Sequence, residues 1–116
     1  MKKLIIACLM LMASTQIVKA QDSNKEIVTD SISVSGICGM CEERIENAAL
    51  IKGVKKVDWD KDKQMLTVIY RSDKTSMQEI AESIADAGHD SSLVTCTDEQ
   101  YDKVHSCCKY RENEVH

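Results

Sequence analysis

The sequence predicts an α+β fold in which two helices cover one face of a four-stranded antiparallel sheet. Three observations predict it. Short runs alternate apolar and polar residues, as half-buried strands do. Two longer runs place apolar residues at helical spacing, each followed by a glycine. Their order is strand, helix, strand, strand, helix, strand, a split βαβ repeat.

The elements follow in chain order. Glu26 to Val34 sets Val28, Ile32 and Val34 on one face of a first strand. Ser35 to Met40 is a turn-rich loop. Cys41 to Ile51 reads as a helix, with Cys41, Ile45, Ala48 and Ala49 on one stripe and Glu42, Glu43, Arg44 and Glu46 facing water. Gly53 suits its stop. Val54 to Trp59 is a second strand, and the charged turn 60–63 leads to a third, Met65 to Tyr70. Ser76 with Glu79 three residues on forms a capping box, so a second helix starts there and carries Met77, Ile80, Ile84 and Ala87 to Gly88. Ser91 to Cys96 reads as a short fourth strand.

The flanks differ in kind. Residues 1–20 run from Met1-Lys2-Lys3 through an apolar stretch to Val18-Lys19-Ala20, the pattern of a secretory signal cleaved after Ala20. The apolar stretch is too short to span a bilayer, which takes about 20 residues. Residues 21–25 are a flexible lead-in, 26–96 the folded domain and 97–116 a tail that holds cysteines. Asp98 to His105 has the pattern of a short helix with Tyr101 and Val104 turned inward. Export and a periplasmic location are the expectation, with no stable membrane insertion.

Cleavage removes Lys2, Lys3 and Lys19, leaving 12 basic residues against 19 acidic ones and a charge of −7. That balance argues against nucleic acid and anionic membrane as partners. Phenylalanine is absent and Trp59 is the only tryptophan, so the core must be aliphatic. Cys8 leaves with the signal. Five cysteines remain: Cys38, Cys41, Cys96, Cys107 and Cys108. An odd number cannot pair completely as disulfides, and metal coordination is another way for exported thiols to persist.

Cys38-Gly39-Met40-Cys41 carries the chemistry. Two cysteines three apart, across a loop and a helix start, can aim both sulfurs at one ion. The unpaired N–H groups of a helix N-terminus favour thiolate over thiol. Thiolates are soft ligands that select Cu(I), Zn(II) and related ions. On its own, such a pair fits a metal site and a redox pair equally.

The stretch from Val34 to Ala49 resembles the heavy-metal-associated domain family of metal chaperones and metal-pump modules, on Cys38, Cys41, Ile45 and Glu46. Gly53-Val54 with Val57, the strand Leu66, Val68 and Tyr70, and Ala87-Gly88-His89-Asp90 extend the resemblance over about residues 26–96. It implies a ferredoxin-like βαββαβ sandwich and metal ligation by Cys38 and Cys41, with Cu(I) first and Zn(II), Hg(II) or Cd(II) as other soft ions. Its implied partners are a metal-transporting membrane protein or another CxxC domain. The chain departs from the family pattern in its loop. Only Ile37 separates Gly36 from Cys38, and Met40 lies inside the CxxC; Ile37 is expected to plug the core where the family uses Met.

His89 stands where the family often has an aromatic residue near the metal loop. It is a candidate ligand or tuning group, against the alternative of a surface histidine. Cys107 and Cys108 are candidate ligands if the tail folds back; a disulfide from the tail to Cys96 or the CxxC is the alternative. Adjacent cysteines do not readily bridge to each other. Met65 and Met77 read as core. Asp58, Asp60 and Asp62 lack the glycine and distal glutamate of a calcium loop.

The function expected is therefore an exported protein that sequesters or transfers one soft metal ion, as a monomer or a metal-bridged dimer, and not an enzyme. The rival is a thiol–disulfide oxidoreductase with Cys38 as nucleophile. The chain has no proline, so the cis-proline that thioredoxin folds set against their CxxC cannot exist.

Overall fold

The computed structural model describes residues 26–115. The expected signal at 1–20, the expected lead-in at 21–25 and His116 lie outside the described residues. The element order is β1 (Ile27–Ser33), α1 (Gly39–Ala49), β2 (Val54–Asp60), β3 (Met65–Arg71), α2 (Met77–Asp86), α3 (Asp98–Tyr101) and a single 3-10 turn at Ser106–Cys108.

Strand β3 lies at the centre, antiparallel to β1 on one side and β2 on the other. Its alternate residues Leu66, Val68 and Tyr70 are buried, as a period-two pattern demands. They meet Ile45 of α1 and Ile80 and Ile84 of α2 in one core that also holds Trp59. Each large aliphatic side chain so buried contributes about 1.5–3 kcal/mol. This is the α+β, ferredoxin-like arrangement that the sequence predicts. Among the described residues no helix is long and apolar enough to cross a membrane.

Three boundaries differ from expectation. Helix α1 starts two residues early, because Cys38 is the extended N-cap and Gly39 already has helical geometry. Gly53 sits beyond the helix end, in the turn before β2, at φ +97°. The fourth strand is reduced to one bridge, Val34 to Ser91. Pairing with the end of β1 is limited to two bonds, Ser92 N–H to Ser33 O and Ser35 N–H to Asp90 O. Beyond Ser92 the donors turn inward, Leu93 and Val94 N–H to Ser91 Oγ and Cys96 N–H to Asp90 Oδ1. Donors satisfied locally cannot extend a ladder, so the strand stops after one bridge.

The tail is packed. Thr97 and Gln100 form a reciprocal capping box that starts α3, and Tyr101, Val104 and Cys108 are buried. Gly88, at φ +100°, is where the tail crosses the domain. A Cβ there would stand 2.5 Å from Val104 Cγ2 and 2.7 Å from Gln100 O.

Candidate metal centre

The loop before Cys38 is fixed by its backbone. Every polar backbone group of Val34, Ser35 and Gly36 is paired. Val34 N–H donates to Gln64 O, and Val34 O accepts from the Trp59 indole at 2.9 Å. Ser35 N–H donates to Asp90 O, and Ser35 O accepts from His89 Nδ1 at 2.9 Å. Gly36 N–H donates to Gln64 Oε1 at 3.0 Å, while Gln64 Nε2 returns a bond to Gly36 O at 2.8 Å. Such complete pairing leaves the loop no cheap alternative conformation. Gly36 also has to be glycine: a Cβ would meet the Trp59 ring at 2.9 Å.

Ile37 is buried next in the chain, and Met40 is half exposed on the first turn of α1. Ile37 thus fills the core position and Met40 faces outward. Cys38 and Cys41 follow, both buried, with sulfurs 3.8 Å apart.

The tail adds a third sulfur. Cys108 Sγ lies 3.3 Å from Cys38 Sγ, and the ligand atoms of Cys38, Cys41 and Cys108 all lie within 4.8 Å of one another. With the zinc–thiolate distance of about 2.3 Å as a guide, a trigonal ion would hold its three sulfurs about 4 Å apart. The two separations from Cys38, 3.3 and 3.8 Å, lie just inside that value. All five described cysteines are free thiols. Cys107 is exposed and stands outside the group of three, 3.8 Å from Cys108 Sγ and 3.5 Å from Met40 Sδ.

Burial pushes the Cys38 thiol up, but the N–H groups of Cys41 and Met40 and the Cys108 thiol favour the thiolate and win. The net effect lowers it from 9.0 to about 7. Burial pushes the Cys108 thiol up, and its contacts with Cys41 and Cys38 push it further. The cluster is thus arranged with one ready thiolate beside a thiol that keeps its proton.

His89 is fully buried and is not drawn into the sulfur group. A carbonyl can only accept, so the bond to Ser35 O puts the proton on Nδ1. Nε2 is left buried without a partner. Burial holds the ring below its ordinary value of 6.5, neutral at physiological pH. Its contribution to the site runs through Ser35, which it anchors.

What holds the tail was not visible in the sequence reading. Tyr110 stacks on His89 at 5.2 Å; its hydroxyl donates to Gly88 O at 2.7 Å and accepts from Asp90 N–H at 2.9 Å. Arg111 grips the Asp90 carboxylate with two bonds, at 2.9 and 3.0 Å, and also donates to Cys96 O. Arg111 in turn lies over the Tyr101 ring at 4.4 Å. This latch sits two and three residues beyond Cys108 and sets its position. Cys96 belongs to the latch, with its sulfur 3.5 Å from the Tyr110 hydroxyl, and not to the sulfur cluster. A signal was present: two of the three tyrosines, in a chain without phenylalanine, lie beyond residue 97.

Comparison with known proteins agrees with this geometry. The family profile described as the heavy-metal-associated domain matches residues 31–90. A CopZ metallochaperone structure is 27% identical with a TM-score of 0.53, covering 55% of this chain and 98% of its own. A putative copper-ion-binding protein from Bacillus anthracis str. Ames is 25% identical with a TM-score of 0.53, over 56% of this chain and 94% of its own. Copper-form CopA from Bacillus subtilis is 25% identical with a TM-score of 0.50, over 63% and 95%. A search of curated proteins finds no match.

Proposed function

Because the chain belongs to the heavy-metal-associated domain family, we propose that it is an exported carrier that binds one Cu(I) ion through Cys38 and Cys41, with Cys108 as third thiolate. The convergence of those three sulfurs carries the reading. Soft thiolates favour Cu(I), Zn(II), Hg(II) and Cd(II) over hard ions. Copper stands first because neighbours are described as a metallochaperone and as copper-binding proteins. A three-sulfur site holds its ion more firmly than two sulfurs do, which suits sequestration followed by deliberate transfer.

Transfer is ligand exchange: an incoming thiolate bonds to the ion as one of the three leaves, with no change of oxidation state. The acceptor is a second CxxC domain, such as that of a metal-transporting membrane protein. The acidic mature chain favours a basic docking face. No bond-making chemistry is required, so the protein is a carrier and not an enzyme. Export rests on the signal pattern of residues 1–20.

The test is anaerobic Cu(I) titration of the reduced mature chain against a competing chelator, read also by native mass spectrometry. One tightly held ion per chain is expected, abolished by Cys38→Ser/Cys41→Ser and weakened by Cys108→Ser. Turnover of disulfide substrates without metal binding would replace this reading with the oxidoreductase, which the lowered Cys38 thiol beside Cys108 would serve.

A further inference from the structure

Met40 and Cys107 have no part in the three-sulfur group, yet they are not scattered. Met40 is 48% exposed and Cys107 is exposed. They come from segments 67 residues apart in sequence and meet with sulfurs 3.5 Å apart. Cys107 Sγ is 3.8 Å from Cys108 Sγ, which is 3.3 Å from Cys38 Sγ, which is 3.8 Å from Cys41 Sγ. Five sulfurs therefore form an unbroken file from solvent to a buried end, Met40, Cys107, Cys108, Cys38, Cys41. Core packing does not explain the outer pair, since neither side chain belongs to the buried core.

We infer that Met40 and Cys107 form a surface landing site where a soft monovalent metal ion binds first and leaves last. The inference rests on the three-sulfur reading above. A thioether and a thiolate are both soft donors, so the pair discriminates against hard cations. The ion bonds to Met40 Sδ and Cys107 Sγ, and the Cys107 thiol releases its proton to solvent. Cys108 then bonds to the ion as Met40 lets go, and its proton passes to solvent. Cys38, 3.3 Å from Cys108, bonds next as a thiolate while Cys107 lets go, and Cys107 takes a proton back from solvent. Cys41 completes the set and releases its own. The ion's oxidation state does not change, and release runs the same steps backwards. Each hop crosses less than 4 Å, so the ion is never without sulfur ligands.

Such a site predicts a kinetic signature. A stop on the path that is absent from the resting complex changes capture and release equally and leaves their ratio. Met40→Leu keeps the size and removes the sulfur; Cys107→Ser removes the thiol. Both are compared with the wild-type mature chain and with Cys108→Ser. The probe is Cu(I) supplied by a chromophoric chelator under anaerobic stopped flow, with release read by adding excess chelator. Met40→Leu and Cys107→Ser should each slow capture and release about tenfold, with equilibrium affinity unchanged within about threefold. Cys108→Ser should instead lower affinity. Wild-type rates in both outer variants would overturn the landing site while leaving the three-sulfur reading intact. Loss of affinity in Cys107→Ser equal to that in Cys108→Ser would overturn it too, by making Cys107 a resting ligand. Absence of Cu(I) binding in the wild type, read at equilibrium, would remove both.

Discussion

The loop that carries Cys38 and the tail that carries Cys108 contribute to one cluster, but they are held in different ways. The loop is fixed by backbone hydrogen bonds to Gln64, Trp59, Asp90 and His89, all inside the domain, and by close contact of Gly36 with the Trp59 ring. The tail is held by a few side chains, chiefly Tyr110 and Arg111 on the segment from Gly88 to Asp90. Loop geometry can change only if the core changes. The tail can lift only when those side-chain bonds break and Tyr101, Val104 and Cys108 leave the edge of the core, but no strand or long helix of the domain need come apart. The pair Cys38 and Cys41 is thus the permanent part of the site and Cys108 the removable part.

The largest effect expected lies in the loop. Below pH 7 Cys38 should carry about a hundredfold more thiolate than a free cysteine, its thiol being lowered from 9.0 to about 7. Ultraviolet thiolate titration of the metal-free chain should show an ionisation near pH 7 that Cys38→Ser removes. If that ionisation persists in Cys38→Ser, another thiol is responsible and the N-terminal helix argument is wrong. Next, Gly36→Ala should destabilise the whole domain by about 1–3 kcal/mol, because the new methyl drives into Trp59 and the core is already full. Denaturant unfolding measures this, and an unchanged midpoint would mean that the loop has freedom the bonds deny.

The tail should answer differently. Arg111→Ala weakens the latch, and a loss of about 1.4 kcal/mol raises the lifted population tenfold. Hydrogen exchange at the N–H groups of Val104 and Cys108 and alkylation of Cys108 should then accelerate by about that factor. Unfolding of the rest of the domain should barely move. Equal loss in both regions would erase the distinction between them.

The smallest effect belongs to His89, where the two regions touch. Above pH 6.5 the ring is neutral whether the chain is folded or unfolded, so it contributes no pH dependence. As pH falls below 6.5, the unfolded chain takes up a proton that the buried ring refuses, and stability declines. His89→Phe keeps a ring against Tyr110, removes the orphaned Nε2 and should flatten this acid slope. A slope that survives the change would assign it to other groups.

The same contrast explains what the sequence disclosed. Strands and helices were legible because Leu66, Val68 and Tyr70 alternate and Ile80 and Ile84 recur at helical spacing, and those periods report burial directly. Cys38 and Cys41 were legible because their spacing is local. The failed fourth strand was not, because Asp90 and Ser91 divert its backbone donors, and nothing in the run Ser91 to Cys96 announces that. Trp59 over Gly36 and Gln64 around Gly36 join residues 23 to 28 apart, a pairing that only the folded chain reveals. That Cys107 and Cys108 would split, one outside and one within the cluster, depends on Tyr110 and Arg111 fixing the last turn, which no local pattern encodes.

Cys108 comes from 70 residues beyond Cys38, yet the latch two residues further on keeps it beside its target. In solution terms it is a tethered competitor, with an effective concentration of millimolar or more set by the tether and not by its surroundings. A small free thiol at comparable concentration would gain little by attacking the ion, since the departing Cys108 returns at once. A protein acceptor fares better if its docking face also occupies the ground on which Tyr110 and Arg111 rest. The tether thus divides the routes to the cargo: a diffusing small molecule meets the ion only when it stands at the exposed outer sulfurs, whereas a protein that unseats the tail meets it at the inner ones.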